Sequence, residues 1–303
     1  MAIASVIFIG LTAVGLRRRY RKLRRIAECD LTLASKIHYG FDLAVEALLG
    51  RRGPAATGTR EYQMRGGTSV VLRRNSTDRK VFEEIFVEHA YTPYAKAIAR
   101  NAPILLVDLG ANIGLSAVAL ARELQPVAIV AVEPDRGNFA LLRENVRRAG
   151  LADQCAAVQA FAGVEQGFAE LVDSGNGAWG LRMGAPTVTG IPVLPLEEII
   201  AIGEGMAGAA ESRAARTVLK CDIEGAEASL FQRIGQWEGR VHYMILELHT
   251  EFLSVQELHA CLAASRYHWR IGGTIPAEAI LALIGLERLE LKAAAQSRHA
   301  VSS

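Results

Sequence analysis

The feature that most constrains this chain is an alternation that begins at residue 104. ILLVDLG (104–110) is an uninterrupted apolar strand ending in Asp-Gly, and a helical stretch at 116–124 follows it. VAIVAVEP (127–134) repeats the pattern with a helix at 138–149, and QCAAVQAFAG (154–163) reads as a third strand. TVLKCDIEG (217–225) and HYMILELH (242–249) read as a fourth and fifth, with helices at 226–234 and 255–265. A strand that is apolar at every position has no face to show to water, so helices must cover both faces. The expected fold class is therefore α/β, a mostly parallel Rossmann-like sheet with helices on both faces. YHWRIGG and LERLELKA read as antiparallel strands that close it. Such sheets bind ligands beyond the carboxyl ends of their strands, so function is sought among residues at the strand tips.

The chain ahead of this alternation is organised differently. Residues 26–50 carry a helix-like pattern (Leu31, Ile37, Phe41, Leu43, Val45, Leu48), and 51–60 is a linker by its Gly, Pro and Thr content. EYQMR and TSVVLRR flank Gly66-Gly67 and predict a β-hairpin. Asn75 to Asp78 supply a helix start for KVFEEIFVEHA, and a short helix is expected near Tyr94–Arg100. The expected division is an apolar segment and basic block at 1–25, an accessory region at 26–100, the main domain at 101–296 and a tail at 297–303. The Gly- and Pro-rich stretch 173–195 reads as a long loop over the sheet.

Charge is unevenly placed. Residues 17–25 read RRRYRKLRR, seven basic residues without an acid, and the rest of the chain holds 27 basic against 32 acidic residues. A nucleic-acid partner needs a basic face on the folded body, and these totals argue against one. Ala2 to Leu16 is apolar and uncharged. It is short for a spanning helix, which takes roughly 17–25 residues, and its positive charge follows the run instead of preceding it as in a secretory signal. The expectation is a cytoplasmic protein attached through residues 1–25 to the inner face of a membrane, where the basic block holds anionic lipid. Cys29, Cys155, Cys221 and Cys261 lack metal-ligand spacing and are expected as reduced thiols.

The strongest local signal is VDLGANIGLS (107–116), set between a strand and a helix. Gly110 allows a sharp turn and Gly114 a close approach of the helix. The N–H groups that open the helix can hold a carboxylate, and Asp108 can accept from an ammonium. A ligand with both groups, such as the methionine part of S-adenosylmethionine, suits the loop. Glu133, at the tip of the next strand, can accept from both hydroxyls of a ribose. A nicotinamide-dependent reductase would use the same acid, but its loop is G-x-G-x-x-G and this one is D-x-G-x-N-x-G. Asp222 and Glu224, two apart on an extended chain, share a face at the fourth tip, and Glu247 and His249 sit at the fifth. A histidine beside acids can take a proton from a hydroxyl at neutral pH. Paired carboxylates suit Mg²⁺, but two acids do not make a site, and no metal is expected.

These blocks resemble the FkbM family of methyltransferases. The resemblance runs from about Ser76 to Lys292 through STDRKVFEEIF, VDLGANIG, VEPDRGNFALLRENV, GAWG, PLEEII, LKCDIEGAE and ILELH, in that order. It implies a class I methyltransferase with a seven-stranded sheet that uses S-adenosylmethionine to methylate a hydroxyl of a sugar, glycolipid or secondary metabolite. In that reading Asp108, Gly110, Asn112 and Gly114 hold the methionine end, Glu133 holds the ribose, and Pro134 and Asp135 shape the adenosine pocket. Asp222, Glu224, Glu247 and His249 line the acceptor side, with His249 the first choice of base and Asp222 the second. Trp179 covers the cofactor, stacks on an acceptor sugar, or is an ordinary core or loop tryptophan. The non-enzymatic alternative is a membrane-tethered binding module that keeps the fold without the chemistry. Oligomeric state is not readable from the residues.

Overall fold

The computed structural model describes residues 24–49, 58–74, 76–98, 101–173, 181–272 and 281–292. Helix α1 (Leu33–Leu49) precedes a hairpin of β1 (Thr59–Gln63) and β2 (Ser69–Arg73). The turn between them holds Gly66 and Gly67 at φ of 90° and 89°, a region that only glycine enters freely. Helix α2 (Asp78–Phe82) widens into a π-helical turn at Glu83–Val87, so KVFEEIFVEHA is not one regular helix, and α3 (Thr92–Ala97) follows.

The alternation then unfolds as read: β3 (Ile104–Leu109), α4 (Leu115–Leu124), β4 (Ala128–Val132), α5 (Arg136–Arg148) and β5 (Cys155–Val158). Beyond them come β6 (Phe161–Gly163), β7 (Gly167–Asp173), β8 (Leu181–Thr187) and β9 (Ile191–Pro195). Helices α6 (Leu196–Ala207) and α7 (Ala209–Ala214) lead to β10 (Arg216–Cys221), α8 (Glu227–Gln232) and α9 (Ile234–Trp237). The chain closes with β11 (Val241–His249), α10 (Val255–Ala264), β12 (Tyr267–Gly272) and β13 (Leu281–Leu291).

Seven strands form one sheet in the order β12-β13-β11-β10-β3-β4-β5. Strands β3, β4, β5, β10 and β11 are parallel, and β13 runs antiparallel to both of its neighbours. Every residue of β3 and β4 is buried. Side chains alternate between two cores: Leu106, Ile129, Val218 and Ile245 face the side of α4 and α5, while Leu105, Val130, Leu219 and Met244 face the side of α6 and α8. The chain leaves β3 toward β4 on one side and returns to β10 on the other, so the switch point of the topology lies between β3 and β10.

Two expectations are corrected. The run 154–163 is two strands, because β5 pairs with β4 only as far as Val158, opposite Val132. Beyond Glu133 the partner chain offers Pro134, which has no N–H to continue a ladder. The stretch 173–195 is not a bare loop: β6, β7, β8 and β9 form a second sheet in the order β6-β9-β7-β8. Its Pro186 sits on the edge strand β8, where a missing donor is tolerated. Trp179, the apolar run 2–16 and most of the basic block lie outside the described residues. Among the described residues no helix is long and apolar enough to cross a membrane.

The hairpin is stitched to the main sheet through polar side chains. Asn145 on α5, fully buried, accepts from Val71 N at 2.6 Å and donates to the carbonyls of Val71 at 3.2 Å and Ile113 at 2.8 Å. Arg73 pairs with the buried Asp78 through two contacts of 2.7 and 2.9 Å and also donates to Asn138. Asn145→Ala strands a buried N–H and two carbonyls, and is expected to lower stability by about 2–4 kcal/mol in urea unfolding.

Candidate active site

The loop after β3 and the loop after β10 touch at the switch point. Gly110 has φ 70°, and a Cβ there would stand 1.7 Å from the carbonyl oxygen of Asp222. No side chain fits between the two backbones. Asn112, at φ 51°, folds its own Oδ1 onto Ile113 N at 2.8 Å and donates its backbone N–H to Glu133 Oε2 at 2.9 Å. Gly114, at φ 85°, precedes α4, and a Cβ there would lie 3.2 Å from Leu142 Cα, so this glycine sets how closely α5 packs.

Over these tips lies a cavity with about 1060 Å³ of empty space, open to solvent at its mouth. Gly110, Asn112, Ser116, Glu133 and Pro134 line it together with Lys220, Asp222, Glu224 and Glu247. Glu133 is 5% exposed and accepts from Asn112 N, Asp135 N and Asn138 Nδ2. Burial nevertheless outweighs those donors and pushes its carboxyl up to about 7. Asp135 caps α5 by accepting from Asn138 N at 2.8 Å and is not among the described residues lining the cavity.

Asp108 is fully buried and does not itself line the cavity. Its Oδ2 accepts from Ser116 Oγ at 2.6 Å and its Oδ1 lies 3.3 Å from Lys220 Nζ. It therefore reaches the cavity through two side chains that do line it. Lys220, 2% exposed, also donates to the carbonyls of Gly110 at 2.9 Å and Leu109 at 3.3 Å, and contacts Asp222 Oδ2 at 3.3 Å. Burial disfavours its charge, but Asp222 and Asp108 more than compensate and hold its pKa well above the usual lysine range.

The acids after β10 lie on a turn and not on an extended strand, since β10 ends at Cys221 and Glu224 adopts φ 51°. Asp222, Glu224 and His249 still converge, each offering a ligand-type atom within 4.8 Å of the others. Behind them Glu227, fully buried, accepts from Ile223 N, Gly225 N and His249 Nδ1 at 3.0, 2.8 and 3.1 Å. His249 Nε2 is left facing Glu224 at 3.6 Å. Burial works against the imidazolium, yet Glu227, Asp222 and Glu224 raise His249 to about 9. Burial, with Asp222 beside it, pushes Glu224 up to about 7, and the same causes push Glu247 well above the carboxylate range. A ring nitrogen anchored by a carboxylate with the other facing two acids can hold a proton or a cation.

Sequence reasoning missed Lys220, Glu227 and the cover. Lys220 and Glu227 lie inside KCDIEGAE, and a lone lysine in an otherwise apolar strand was the available signal. Glu84 and Tyr91, from the accessory region, line the cavity from above, and no motif in the sequence announced that.

The seven strands, with β13 reversed between β11 and β12, form a mostly parallel Rossmann-like sheet covered by helices. No family model matches the chain, and no curated protein matches it. Among solved structures it is similar to Methyltransferase FkbM from Methylobacillus flagellatus KT, at 20% identity and a TM-score of 0.43, over 66% of this chain and 47% of that one. The match thus spans about half the length of that protein. M. capricolum TrmK, in complex with S-adenosyl-homocysteine, is similar at 12% identity and a TM-score of 0.41, over 69% of this chain and 71% of that one. M. jannaschii TYW2, in complex with AdoMet, is similar at 11% and 0.39, over 77% and 88%. At these identities and scores none of them assigns a reaction or an acceptor to this chain.

Replacing Lys220 by Met leaves Asp108 and Asp222 without their shared cation. The expected loss is about 3–5 kcal/mol at pH 7 in denaturant unfolding, as for one half of a buried pair. Burial already raises Asp108 and would raise it further without this cation, so its protonation at lower pH should shrink the loss.

Proposed function

We propose that the chain is an S-adenosylmethionine-dependent O-methyltransferase of the FkbM type, acting on a hydroxyl of a sugar, glycolipid or secondary metabolite. The observation that carries this reading is Glu133, a buried carboxylate that faces the cavity beside a glycine turn too tight for any Cβ. A dinucleotide or nucleoside ribose at a strand tip is held by such an acid. The residues present fit the cofactor: Glu133 accepts from the ribose hydroxyls, Gly110 leaves room for the methionine end, and Pro134 bounds the adenosine side. Asp135 shapes that side through the α5 cap, and Asp108 supports the methionine end through Ser116 and Lys220.

When bound, the cofactor supplies a methyl group on a sulfonium, so the protein has to align the acceptor oxygen and remove its proton. The order of bases changes from the sequence reading. His249 keeps its proton up to about pH 9 and serves as the charge beside the reacting carboxylate. Glu224, at about 7, is the group able to accept a proton at neutral pH, with Asp222 and Glu247 shaping its field. Glu224 would take the acceptor O–H proton, and the bound cofactor would supply the methyl group to the oxygen so freed. Glu84, Asp222, Glu224 and Glu247 around the cavity favour a neutral polyol, which donates hydrogen bonds, over a phosphate-bearing acceptor. We also propose that residues 1–25 hold the protein on the inner face of an anionic membrane; the apolar run and basic block support this.

Methyl transfer from labelled cofactor to a panel of sugars, glycolipids and RNA tests the acceptor class, and labelling of RNA alone would contradict it. With an accepted substrate, kcat should rise as pH increases through about 7. Glu224→Gln should lower kcat by about 10²–10⁴-fold. His249→Ala should move the rise to higher pH, because Glu224 loses its cationic neighbour, with S-adenosylhomocysteine affinity near normal. Collapse of that affinity would make His249 a structural residue.

A further inference from the structure

Helix α1 packs Tyr39 and Leu43 into the core beside Tyr62 and Phe82. Its inward face is held by polar groups: Ser35 Oγ accepts from Gln63 N at 2.8 Å, and Tyr39 Oη donates to Glu83 Oε1 at 2.5 Å. Asp42 on the same face accepts from Tyr62 Oη at 2.7 Å and pairs with Arg60 at 2.6 Å and Arg74 at 3.1 Å. Outward, at a spacing of four, stand Leu33, Ile37 and Phe41, exposed by 75%, 63% and 61%. Single exposed apolar side chains are ordinary on a protein surface. Three large ones in a row on one helix, backed by a polar seam, mark a contact surface.

What lies beside this stripe identifies its occupant. The described chain starts at Arg24, at the end of the RRRYRKLRR block, and residues 24–28 form a helical turn that anchors through Ile26 and Cys29. Lys36, from the middle of the α1 stripe region, donates to the Ala27 carbonyl and so holds α1 beside that turn. The basic block therefore ends at the foot of the apolar stripe, with the apolar run 2–16 immediately before it in sequence. An apolar stripe that the chain reaches directly from a run of seven basic residues matches the boundary of a membrane with anionic headgroups. A second copy of the chain offers the same stripe but repels the same block.

We propose that the outward face of α1 is a lipid-contacting surface, seated in the headgroup boundary of an anionic membrane with Leu33, Ile37 and Phe41 among the acyl chains. The inference rests on the attachment reading of residues 1–25 and is independent of the methyl-transfer reading. Attachment is then two-part: the N-terminal segment recruits, and α1 fixes how the folded body sits. One chain or patch alone gives weak, reversible binding, and two together give stable binding.

The test is sedimentation of the full chain with vesicles of phosphatidylcholine containing about 30% phosphatidylglycerol, and with phosphatidylcholine alone. The parent protein should bind the anionic vesicles. The combined variant Leu33→Ser, Ile37→Ser, Phe41→Ser should keep its far-ultraviolet spectrum and cooperative thermal unfolding, and lose binding by about tenfold or more. Separately, the Phe41→Trp protein should show more fluorescence quenching by brominated acyl chains than the parent. Unchanged binding of the triple variant would overturn the stripe and leave attachment to residues 1–25. No binding by the parent would overturn both. A parent dimer that the triple variant converts to monomer would replace the lipid with a second copy.

Discussion

Lys220 is a buried cation in the middle of a parallel sheet, and both loops that build the cavity are tied to it. It gathers the carbonyls of Leu109 and Gly110 after β3 and the carboxylate of Asp222 after β10, with Asp108 behind. A buried ammonium is costly unless paired and hydrogen-bonded, and here each of its partners belongs to the site. The pairing explains why Gly110 can pass so close to the Asp222 carbonyl. The charge network pulls together two backbones that leave no room for a Cβ, and this fixes the distance between the loop after β3 and the acids after β10.

A second layer of the same logic supports His249. Glu227 is fully buried, yet it has three partners: two backbone N–H groups of the turn that carries Glu224, and the imidazole. One carboxylate thus fixes both the turn's unusual φ at Glu224 and the direction of His249 Nε2. Strain at a non-glycine residue in the left-handed region persists only where the surroundings over-determine it, and such places cluster at functional sites.

Much of this was legible in the residues because parallel sheets write themselves as apolar runs. β3, β4, β10 and β11 were all readable from burial on two faces, and the tips of β4, β10 and β11 carried the acids Glu133, Asp222 and Glu247 that line the cavity. The division of labour at the tips was less legible. Asp108 ends its strand as an acceptor should, but which way it points depends on Lys220, a residue distant in sequence that a strand pattern counts as an interruption. The protonation of His249 depends on Glu227, which the periodicity of α8 presents as an ordinary first-turn acid. The second sheet was hidden because Gly184, Pro186 and Pro192 carry turn chemistry into strands, where an edge position and close packing accommodate them. The cover by Glu84 and Tyr91 comes from tertiary docking through Asn145 and Arg73, for which no local pattern exists.

The role proposed for Glu133 and the glycine turn is to hold a nucleoside. Its most direct test is calorimetric titration of the full chain with S-adenosylhomocysteine at several pH values, beside Glu133→Gln. Ribose hydroxyls donate to the ionised carboxylate, and burial holds that carboxyl at about 7 before ligand arrives. Binding in the micromolar range that tightens as pH rises through 7, and that the variant weakens and flattens, is the predicted result. A folded protein that takes up no S-adenosylhomocysteine at any pH would contradict it.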